Sequence, residues 1–390
     1  MPEQKTCLGT SALADAAVSC GVQVCACYPI TPTTGLTAGL AKHYANGKIP
    51  QYITVESEFS ALSALVGASA AGTRTFTTTG GQGLLLMHEV LFSASGMRLP
   101  IVMAVGNRAV SSPLNVWNDE QDTISQRDSG WIQFYAESNQ EAVDFLPIAF
   151  KTAEKTMLPV MVCLDGHYLT HAVEPIEIPT REEVDKFLPQ FNPKIRLDPL
   201  NPVSLGVYAA PPHYQNFRED LASDLDASLK TITEYGKEYS KYTKRDYSPI
   251  EEYLSKDADC VFVSMGCMTG NVKAAVDELR GKGEKVGVVR IRVLRPFPRE
   301  ALAKALAGKV VGVIERAISP GAVPPIYAEV SEAASGAKTV SSFHGALGGR
   351  ELSRKEVLRI YETLKKGKKV NEWVTQDVDA LKRAEAALEG

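Results

Sequence analysis

Three side chains that could carry chemistry each follow a short apolar segment of the chain. They are Thr31, Glu58 and Arg108. The segments before them are apolar and rich in β-branched residues, which predicts strands. These strands cover 22–27, 52–55 and 101–105. Because ligands of a parallel α/β sheet bind where its strands end, we expect a hydroxyl, a carboxyl and a guanidinium at that edge.

Glu58 precedes a predicted helix, 59–71, which is built from small and apolar residues. A carboxyl beside such a surface loses hydration, and it can then hold a proton and pass it to a ligand nitrogen. A second interpretation stays open. Glu56 and Glu58 both lie near the first turn of the helix, where acids interact favourably with the helix dipole. The small residues of this helix fit a subunit or domain interface as well as a core.

Arg108 lies at the end of an apolar strand and precedes a loop with serine, asparagine and tryptophan. A guanidinium in that position is a suitable fork for a carboxylate ligand. It is equally suited to a structural ion pair, for which Asp119 and Asp122 are the nearest candidates. The residue chemistry alone leaves these two interpretations even.

Thr31 lies in a loop that two prolines, Pro29 and Pro32, hold extended. Its hydroxyl is therefore held rigidly where a ligand can meet it. The alternative is a plain connection from strand to helix, with Thr33 or Thr34 as the helix cap.

Glycines 80, 81 and 83 surround Gln82 at the end of a further predicted strand, 75–79. Because this turn opens a helix over 84–95, its amide groups can face an anion. The spacing matches neither the dinucleotide nor the P-loop fingerprint, so the glycines can also serve only to turn the chain tightly.

Strands and helices alternate through residues 1–180, which predicts a first α/β domain with five or six strands. Residues 181–256 are predicted to form a linker with one charged helix over 217–244. The charges of this helix are most simply a solvated face, and a role in subunit contact is the alternative. Residues 257–366 return to the strand and helix alternation of a second α/β domain. The tail, 367–390, is predicted to be helical.

Composition excludes several classes of protein. Among 390 residues, 44% are hydrophobic and 23% charged, as is ordinary for a globular protein. The net charge of −4 gives no reason to expect binding to nucleic acid or to an anionic membrane. No apolar run approaches the length of a membrane span, and no signal-peptide core precedes the first helix, so we expect a cytoplasmic protein. The seven cysteines have no metal or cluster spacing and are expected to be buried small hydrophobes.

Several motifs in this order resemble the α subunit of the 2-oxoacid:ferredoxin oxidoreductases, and among them the pyruvate:ferredoxin oxidoreductase (pyruvate synthase) type most closely. The resemblance extends over nearly the whole chain. The motifs are Tyr28-Pro29-Ile30-Thr31-Pro32, Glu56-Ser57-Glu58, residues 79–87, Arg108 with Pro113-Leu114-Asn115, residues 127–133 and residues 158–162.

The resemblance implies a thiamine-diphosphate-binding domain of the pyrimidine type, followed by a domain like the C-terminal domain of transketolase. It implies oxidative decarboxylation of a 2-oxoacid, with electrons passed through [4Fe-4S] clusters to ferredoxin and the acyl group passed to coenzyme A. By the same resemblance Glu58 matches the glutamate that binds the aminopyrimidine ring. Thr31 and Arg108 match the substrate-binding residues. Further cofactor contacts are assigned to Pro29, Ile30, Gly81 and Gln82.

One thiamine motif is missing from the chain. The diphosphate and its Mg²⁺ are normally held by a GDG-type loop, and only Leu164-Asp165-Gly166-His167 comes near it, without the first glycine and after a different strand. The chain therefore supplies half of a thiamine site. Partner subunits are expected to bring the other half, the Mg²⁺ and the iron–sulfur clusters.

The substrate favoured by these residues is a monocarboxylic 2-oxoacid, with pyruvate first. A substrate with two carboxylates needs a second cation, and Arg74 and Arg98 lie near the wrong strand ends to provide one. Branched 2-oxoacids, 2-oxoglutarate and oxalate remain alternatives within the same enzyme class. A non-catalytic scaffold subunit is the alternative from another class, and the pairing of Glu58 with Arg108 argues against it.

Overall fold

The computed structural model describes residues 3–389 of the chain. They form two compact units. The first runs to Glu251 and also contains residues 265–267 and 290–301; the second contains the remaining residues from Glu252 onwards. None of the described helices has the length and apolar character needed to cross a membrane.

The first unit alternates strands with helices. In chain order its elements are β1 (Glu3–Leu8), α1 (Gly9–Ser19), β2 (Val24–Cys27), α2 (Thr34–Ala45), β3 (Gln51–Thr54), α3 (Glu58–Ala70), β4 (Thr75–Thr79), α4 (Gln82–Leu86), α5 (His88–Gly96), β5 (Val102–Asn107), α6 (Gln121–Ile124), β6 (Ile132–Tyr135), α7 (Asn139–Thr156), β7 (Val160–Asp165), β8 (Val173–Ile178), α8 (Arg181–Phe187) and α9 (Pro211–Thr243). The single helix expected over 84–95 is therefore two short helices, α4 and α5, that meet at Met87.

Six strands of the first unit form a parallel sheet in the order β6-β7-β5-β4-β2-β3. A seventh strand, β12 (Val293–Arg295), pairs antiparallel with β6 at one edge. The chain passes from β2 to β3 on one side and then returns to place β4 on the other side of β2. This reversal is a topological switch point, where a crevice opens at the carboxyl ends of β2 and β4.

The central strands β4, β5, β6 and β7 are buried along their whole length, as expected for a parallel sheet covered by helices on both faces. Two of the covering helices begin at a serine that caps them. The Ser57 side chain accepts a hydrogen bond from the Ser60 amide at the start of α3, and Ser138 does the same for Glu141 in α7. These caps set where α3 and α7 begin, and therefore where Glu58 lies.

The first unit also includes residues 290–301, which the sequence analysis placed in the second domain. Two arginines explain the difference. Arg290 Nη1 lies 2.6 Å from Glu141 Oε2, and Arg292 Nε lies 2.7 Å from Glu141 Oε1. Burial alone would raise the pKa of Glu141, but the two arginines hold it below its usual range. These ion pairs and the pairing of β12 with β6 anchor the segment.

The predicted linker helix is α9, which begins earlier than expected, at Pro211. Its charged face is solvated, but Leu221, Ile232 and Tyr239 belong to the hydrophobic core of the first unit. The helix is therefore part of the first unit rather than a separate connection.

The second unit contains a six-stranded sheet. Its elements are β9 (Ile250–Tyr253), β10 (Cys260–Met265), α10 (Thr269–Gly281), β11 (Val286–Ile291), α11 (Arg299–Leu306), β13 (Val310–Glu315), α12 (Pro325–Ala333), β14 (Thr339–Gly345), α13 (Arg354–Lys365), β15 (Asn371–Val374) and α14 (Val378–Glu389). The strand order of this sheet is β15-β14-β13-β10-β11-β9. Four elements cross the division between the units, because residues 250–251 of β9, residue 265 of β10, residues 290–291 of β11 and residues 299–301 of α11 belong to the first unit. The tail expected to be helical begins with β15, because residues 371–374 pair with β14, and only α14 is a helix.

Candidate functional site

The candidate site lies at the carboxyl ends of β2, β4 and β5, around the switch point of the first sheet. Thr31 follows β2, the glycine turn follows β4, and Arg108 follows β5. Glu58 is the first residue of α3, after β3. The sheet thus brings together four positions that are widely separated in the sequence.

Arg108 is the centre of this group. Its Nη1 donates to the Thr31 carbonyl at 2.7 Å, and its Nη2 donates to Gln82 Oε1 at 2.5 Å. The side chain is 6% exposed, and its Nε has no protein partner. A side chain at Gly81 would collide with this guanidinium, so the glycine is required for the arginine to lie there.

Neither of the two expected ion-pair partners binds the Arg108 guanidinium. Asp122 instead accepts a hydrogen bond from the Arg108 backbone amide at 3.1 Å. Burial lowers the pKa of the guanidinium below its usual range, while the negative charges of Asp122 and Glu58 oppose this. The residue is a fork held in place by backbone and amide oxygens, with part of its donor capacity unused.

Glu58 is 6% exposed and lies directly over Gly83. A β-carbon at Gly83 would come 2.5 Å from Glu58 Oε1 and 2.5 Å from Thr79 Oγ1. Glycine at this position therefore makes the room that the carboxyl occupies. Glu56, by contrast, is exposed and bonds to Ser60 within its own helix turn. The structure separates the two acids into a buried carboxyl and a surface one.

Thr31 and its neighbours form a loop that packs against glycines at two other strand ends. A β-carbon at Gly106, near the end of β5, would lie 3.0 Å from Pro32. A β-carbon at Gly166, just after β7, would lie 2.6 Å from the same proline. Thr31 is half-buried, Ile30 is half-buried and Pro29 is exposed. Thr31 therefore contacts Arg108 through its backbone carbonyl, whereas Pro29 and Ile30 are related to the arginine only by belonging to the same loop.

Asp122 is a site residue whose main role the sequence analysis missed. Its carboxyl accepts four hydrogen bonds and is fully buried. The donors are the Gly81 amide at 2.8 Å, the Arg108 amide at 3.1 Å, Asn107 Nδ2 at 2.8 Å and the Thr123 amide at 2.7 Å. Burial raises the pKa of Asp122 to about 6, although these donors oppose the shift. The Gly81 amide, expected to face an anion, already faces this one.

Some of the buried polar atoms in this region lack a partner within the protein. Thr79 Oγ1, Gln82 Nε2 and Arg108 Nε are buried and make no hydrogen bond within the protein. An unsatisfied buried polar group costs about 1–3 kcal/mol. A buried carboxyl, two unsatisfied donors and a hydroxyl in one small region suit a ligand with ring nitrogens and a carboxylate. These residues therefore fit one half of a thiamine site with its 2-oxoacid.

Arg74 and Arg98, which the sequence analysis placed near the wrong strand ends, both form ion pairs away from the candidate site. Arg74 Nε pairs with Glu154 at 2.5 Å, and its Nη1 binds the Cys20 carbonyl. Arg98 pairs with Asp220 and Asp224 on the surface helix α9. Neither guanidinium is available to a second substrate carboxylate.

Asp165, from the sequence that came nearest to a diphosphate loop, has structural partners. Its Oδ1 accepts from Asn118 Nδ2 at 3.0 Å, and its Oδ2 accepts from the Cys267 amide at 2.7 Å. The next histidine, His167, packs against Trp117 with ring centroids 4.3 Å apart. The loop after β7 is therefore a packed support for the loop after β5.

Fold and site together define an α/β domain that carries a buried carboxyl and an arginine fork at the switch point of its sheet. Two family descriptions match the chain. "Pyruvate flavodoxin/ferredoxin oxidoreductase, thiamine diP-bdg" covers residues 15–237, and "Pyruvate:ferredoxin oxidoreductase core domain II" covers residues 258–357. The chain belongs to the pyruvate flavodoxin/ferredoxin oxidoreductase family, a thiamine-dependent class of 2-oxoacid:ferredoxin oxidoreductases. The resemblance stated from the sequence is confirmed.

Relatives of nearly equal length carry two different substrate names. "Pyruvate synthase subunit PorA" of Pyrococcus furiosus is 46% identical over 383 residues, covering 95% of this chain and 97% of the relative. "Ketoisovalerate oxidoreductase subunit VorA" of Pyrococcus abyssi is 44% identical over 372 residues, covering 94% of each. Overall identity alone therefore separates these two substrates poorly.

Two solved structures confirm the fold class. A 2-oxoglutarate:ferredoxin oxidoreductase from Magnetococcus marinus aligns with a TM-score of 0.69 at 19% identity over 93% of this chain. The chain spans 65% of the length of that solved chain. A split-gene transketolase aligns with a TM-score of 0.54 at 14% identity, covering 92% of this chain and 98% of the other.

Proposed function

We propose that this chain is the α-type subunit of a complex that oxidatively decarboxylates pyruvate to acetyl-CoA and CO2 and passes the electrons to ferredoxin. The observation that carries the proposal is the buried Glu58 carboxyl in electrostatic reach of a single arginine fork, Arg108. A carboxyl in a dry site suits the aminopyrimidine of thiamine diphosphate, and the fork suits one substrate carboxylate.

Glu58 would hold the aminopyrimidine ring. Its buried carboxyl would bind a ring nitrogen and would favour the ring tautomer that is able to accept a proton. Thiamine diphosphate supplies a nucleophilic carbon and an electron sink for decarboxylation when it is bound. Gly83 gives the Glu58 carboxyl its space. Pro29, Ile30, Gly81 and Gln82 stay proposed as further cofactor contacts.

Arg108 and Thr31 would bind the substrate. The arginine retains an unused donor at Nε and can meet the carboxylate that leaves as CO2. Thr31 lies beside the arginine, because its carbonyl accepts from Nη1. Its hydroxyl is proposed to bond the oxo oxygen as negative charge develops there.

Pyruvate is favoured among the 2-oxoacids for two reasons. Arg74 and Arg98 are both paired outside the site, which argues against a dicarboxylic substrate. A relative of nearly equal length, 46% identical over 383 residues, is named a pyruvate synthase subunit, which makes pyruvate the first candidate. The relative named for ketoisovalerate makes a branched 2-oxoacid the second candidate.

Partner subunits are proposed to complete the site with the diphosphate-binding half, its Mg²⁺ and the [4Fe-4S] clusters, and coenzyme A is the proposed acyl acceptor. Five of the seven cysteines of this chain are buried, and burial raises the pKa of thiols such as Cys20 and Cys27. Thiols in that environment are poor cluster ligands because ligation requires the thiolate. None of the seven cysteines, all of which lie within the described residues, forms a disulfide bond. The location proposed for the chain stays cytoplasmic.

The test uses the complex purified anaerobically with all its subunits. Reduction of a low-potential dye is measured with pyruvate, 2-oxobutyrate, 2-oxoisovalerate, 2-oxoglutarate and oxalate, each with and without coenzyme A. Reduction that depends on pyruvate and coenzyme A together supports the proposal. A preference for 2-oxoisovalerate moves the chain to the second candidate. Activity with none of the five contradicts the proposal and favours a scaffold subunit.

A further inference from the structure

We propose that Asp122 is the positioning residue of this site: its carboxylate ties the turn after β4 to the end of β5 and thereby sets where the Arg108 guanidinium lies. The inference rests on the proposed function for its kinetic consequence. Its structural part stands on hydrogen bonds within this chain.

The two oxygens of Asp122 have separate tasks. Oδ2 accepts from the Gly81 amide, at the end of β4, and from the Arg108 amide, at the end of β5. One oxygen thus joins two neighbouring strand ends at 2.8 and 3.1 Å. Because the Arg108 side chain passes beside Gly81, the relation of these two backbones decides the path of the guanidinium.

Oδ1 connects the same carboxyl to the rest of the domain. It accepts from Asn107 Nδ2 and from the Thr123 amide. Asn107 Nδ2 also donates to Thr123 Oγ1 at 2.6 Å, and the Tyr135 hydroxyl on β6 donates to the same oxygen at 2.8 Å. These hydrogen bonds therefore connect the Asp122 carboxylate to a third strand, β6, as well as to the ends of β4 and β5.

Asp122 also closes the base of the loop that follows β5. The loop leaves the sheet at Arg108 and returns at Asp122, whose bond to the Arg108 amide joins its two ends. A second bond, from the Ala109 amide to the Trp117 carbonyl at 3.0 Å, closes the loop further out. The arginine therefore belongs to a loop whose base is fixed by one carboxylate.

A neutral replacement cannot reproduce this arrangement. All four groups that face Asp122 are donors, so the site requires acceptors on both oxygens. In Asp122→Asn, one acceptor becomes an NH2 group that faces two N–H donors. One pair of bonds is then lost, either the pair that joins Gly81 to Arg108 or the pair to Asn107 and Thr123.

The test compares Asp122→Asn with the wild-type complex and with Asp144→Asn. Asp144 is also a buried carboxyl, but it lies on α7, where it binds Arg245. Hydrogen exchange is followed in peptides that contain Gly81 and Arg108, together with the melting temperature, the apparent KM for the 2-oxoacid and the affinity for thiamine diphosphate. Asn107→Ala, which removes only one of the four donors, replaces Asp122→Asn if that variant does not assemble.

We expect Asp122→Asn to speed exchange in both peptides and to raise KM at least about tenfold, equivalent to about 1.4 kcal/mol, with a smaller change in thiamine affinity. Asp144→Asn should lower the melting temperature without either change. Asn107→Ala should move exchange and KM in the same direction by less. Unchanged exchange and KM in the Asp122 or Asn107 variant overturn the proposal, and so does an equal change in Asp144→Asn. If the wild type turns over no 2-oxoacid, the proposed function fails while exchange still tests Asp122.

Discussion

The guanidinium of Arg108 donates to the backbone carbonyl of Thr31 across 2.7 Å, although the two residues are 77 positions apart. They follow β5 and β2, which are not neighbours, because β4 lies between them. The arginine reaches across the end of β4, where Gly81 leaves room for it. Three strand ends are thereby combined into one polar surface at the edge of the sheet.

The Glu58 carboxyl is expected to be required for turnover but not for assembly. Glu58→Gln keeps the size of the side chain and removes its ability to hold and release a proton. We expect kcat to fall by about 10²–10⁴-fold, the usual range for loss of a general acid–base group. The measurement is the rate of dye reduction, with subunit composition checked by size-exclusion chromatography. Glu56→Gln, at an exposed acid two residues earlier, is the matched control and should retain its rate. A near-normal rate in Glu58→Gln would remove Glu58 from the chemistry.

Arg108 is expected to act mainly on substrate binding. Arg108→Ala removes the fork and its bonds to the Thr31 carbonyl and to Gln82. The apparent KM for the 2-oxoacid should rise by about 10²-fold, because a charge-assisted contact to a carboxylate is worth roughly 1.5–3 kcal/mol. Arg108→Lys should recover only part of it, since an ammonium cannot bind as a fork. Arg98→Ala, at a surface ion pair, is the control. Equal losses of substrate and thiamine affinity would indicate a structural arginine.

The space over Gly83 is expected to be as necessary as the carboxyl that fills it. In Gly83→Ala the added β-carbon lies 2.5 Å from Glu58 Oε1, so the carboxyl must move. We expect a large loss of kcat with the melting temperature lowered by only a few degrees. Gly67→Ala is the matched control, because a β-carbon there meets nothing within 4 Å on α3. That variant should be stabilised by about 0.5–1 kcal/mol with unchanged activity. An active Gly83→Ala enzyme would show that the position of Glu58 is not critical.

The second unit is expected to lose stability as the pH rises. Burial raises the pKa of Glu315 from 4.5 to about 8, although the amides of Ile326 and Tyr327 oppose the shift by donating to its carboxyl. Because the folded state binds the proton more tightly than the unfolded state, this stabilisation is complete below about pH 4.5 and is lost as the pH rises through about 8. Each pKa unit corresponds to about 1.4 kcal/mol.

The measurement for Glu315 is denaturant unfolding of the whole chain between about pH 5 and about pH 9. This range covers the interval over which the raised pKa of Glu315 affects the free energy of unfolding. Glu315→Gln cannot ionise, so the wild type should lose stability relative to this variant across that range. Glu362→Gln, at an exposed acid of the same unit, is the control and should follow the wild type. Parallel pH curves for the wild type and Glu315→Gln would show that Glu315 does not ionise in this range.

Arg108 and Asp122 show which features of the site can be predicted from the sequence and which cannot. The strand before Arg108 is apolar and β-branched, so its end could be predicted, and Arg108 with it. Asp122 appeared only as a possible ion-pair partner, because a sequence does not reveal whether an acid will meet a guanidinium or backbone amides. It meets four N–H donors, among them the Gly81 amide, which is 41 residues away. That choice depends on the distance between β4 and β5 in the sheet.

The boundary between the two units shows the same limit. The alternation of strands and helices predicts two α/β domains, but residues 290–301 pack with the first unit because Arg290 and Arg292 bind Glu141. These partners are 149 and 151 residues apart in the chain. Ion pairs over that separation leave no local pattern.

The sequence by itself determined the fold class, the family and the identity of Thr31, Glu58 and Arg108 as candidate residues, since these depend on local patterns and on motifs. The tertiary structure alone decided that Gly81 and Gly83 are spaces for Arg108 and Glu58, and that a buried carboxylate ties two strand ends together. The physical reason is that local patterns arise from interactions within a few residues. A hydrogen bond or a steric gap between strands depends on the order of the sheet, which long-range packing sets.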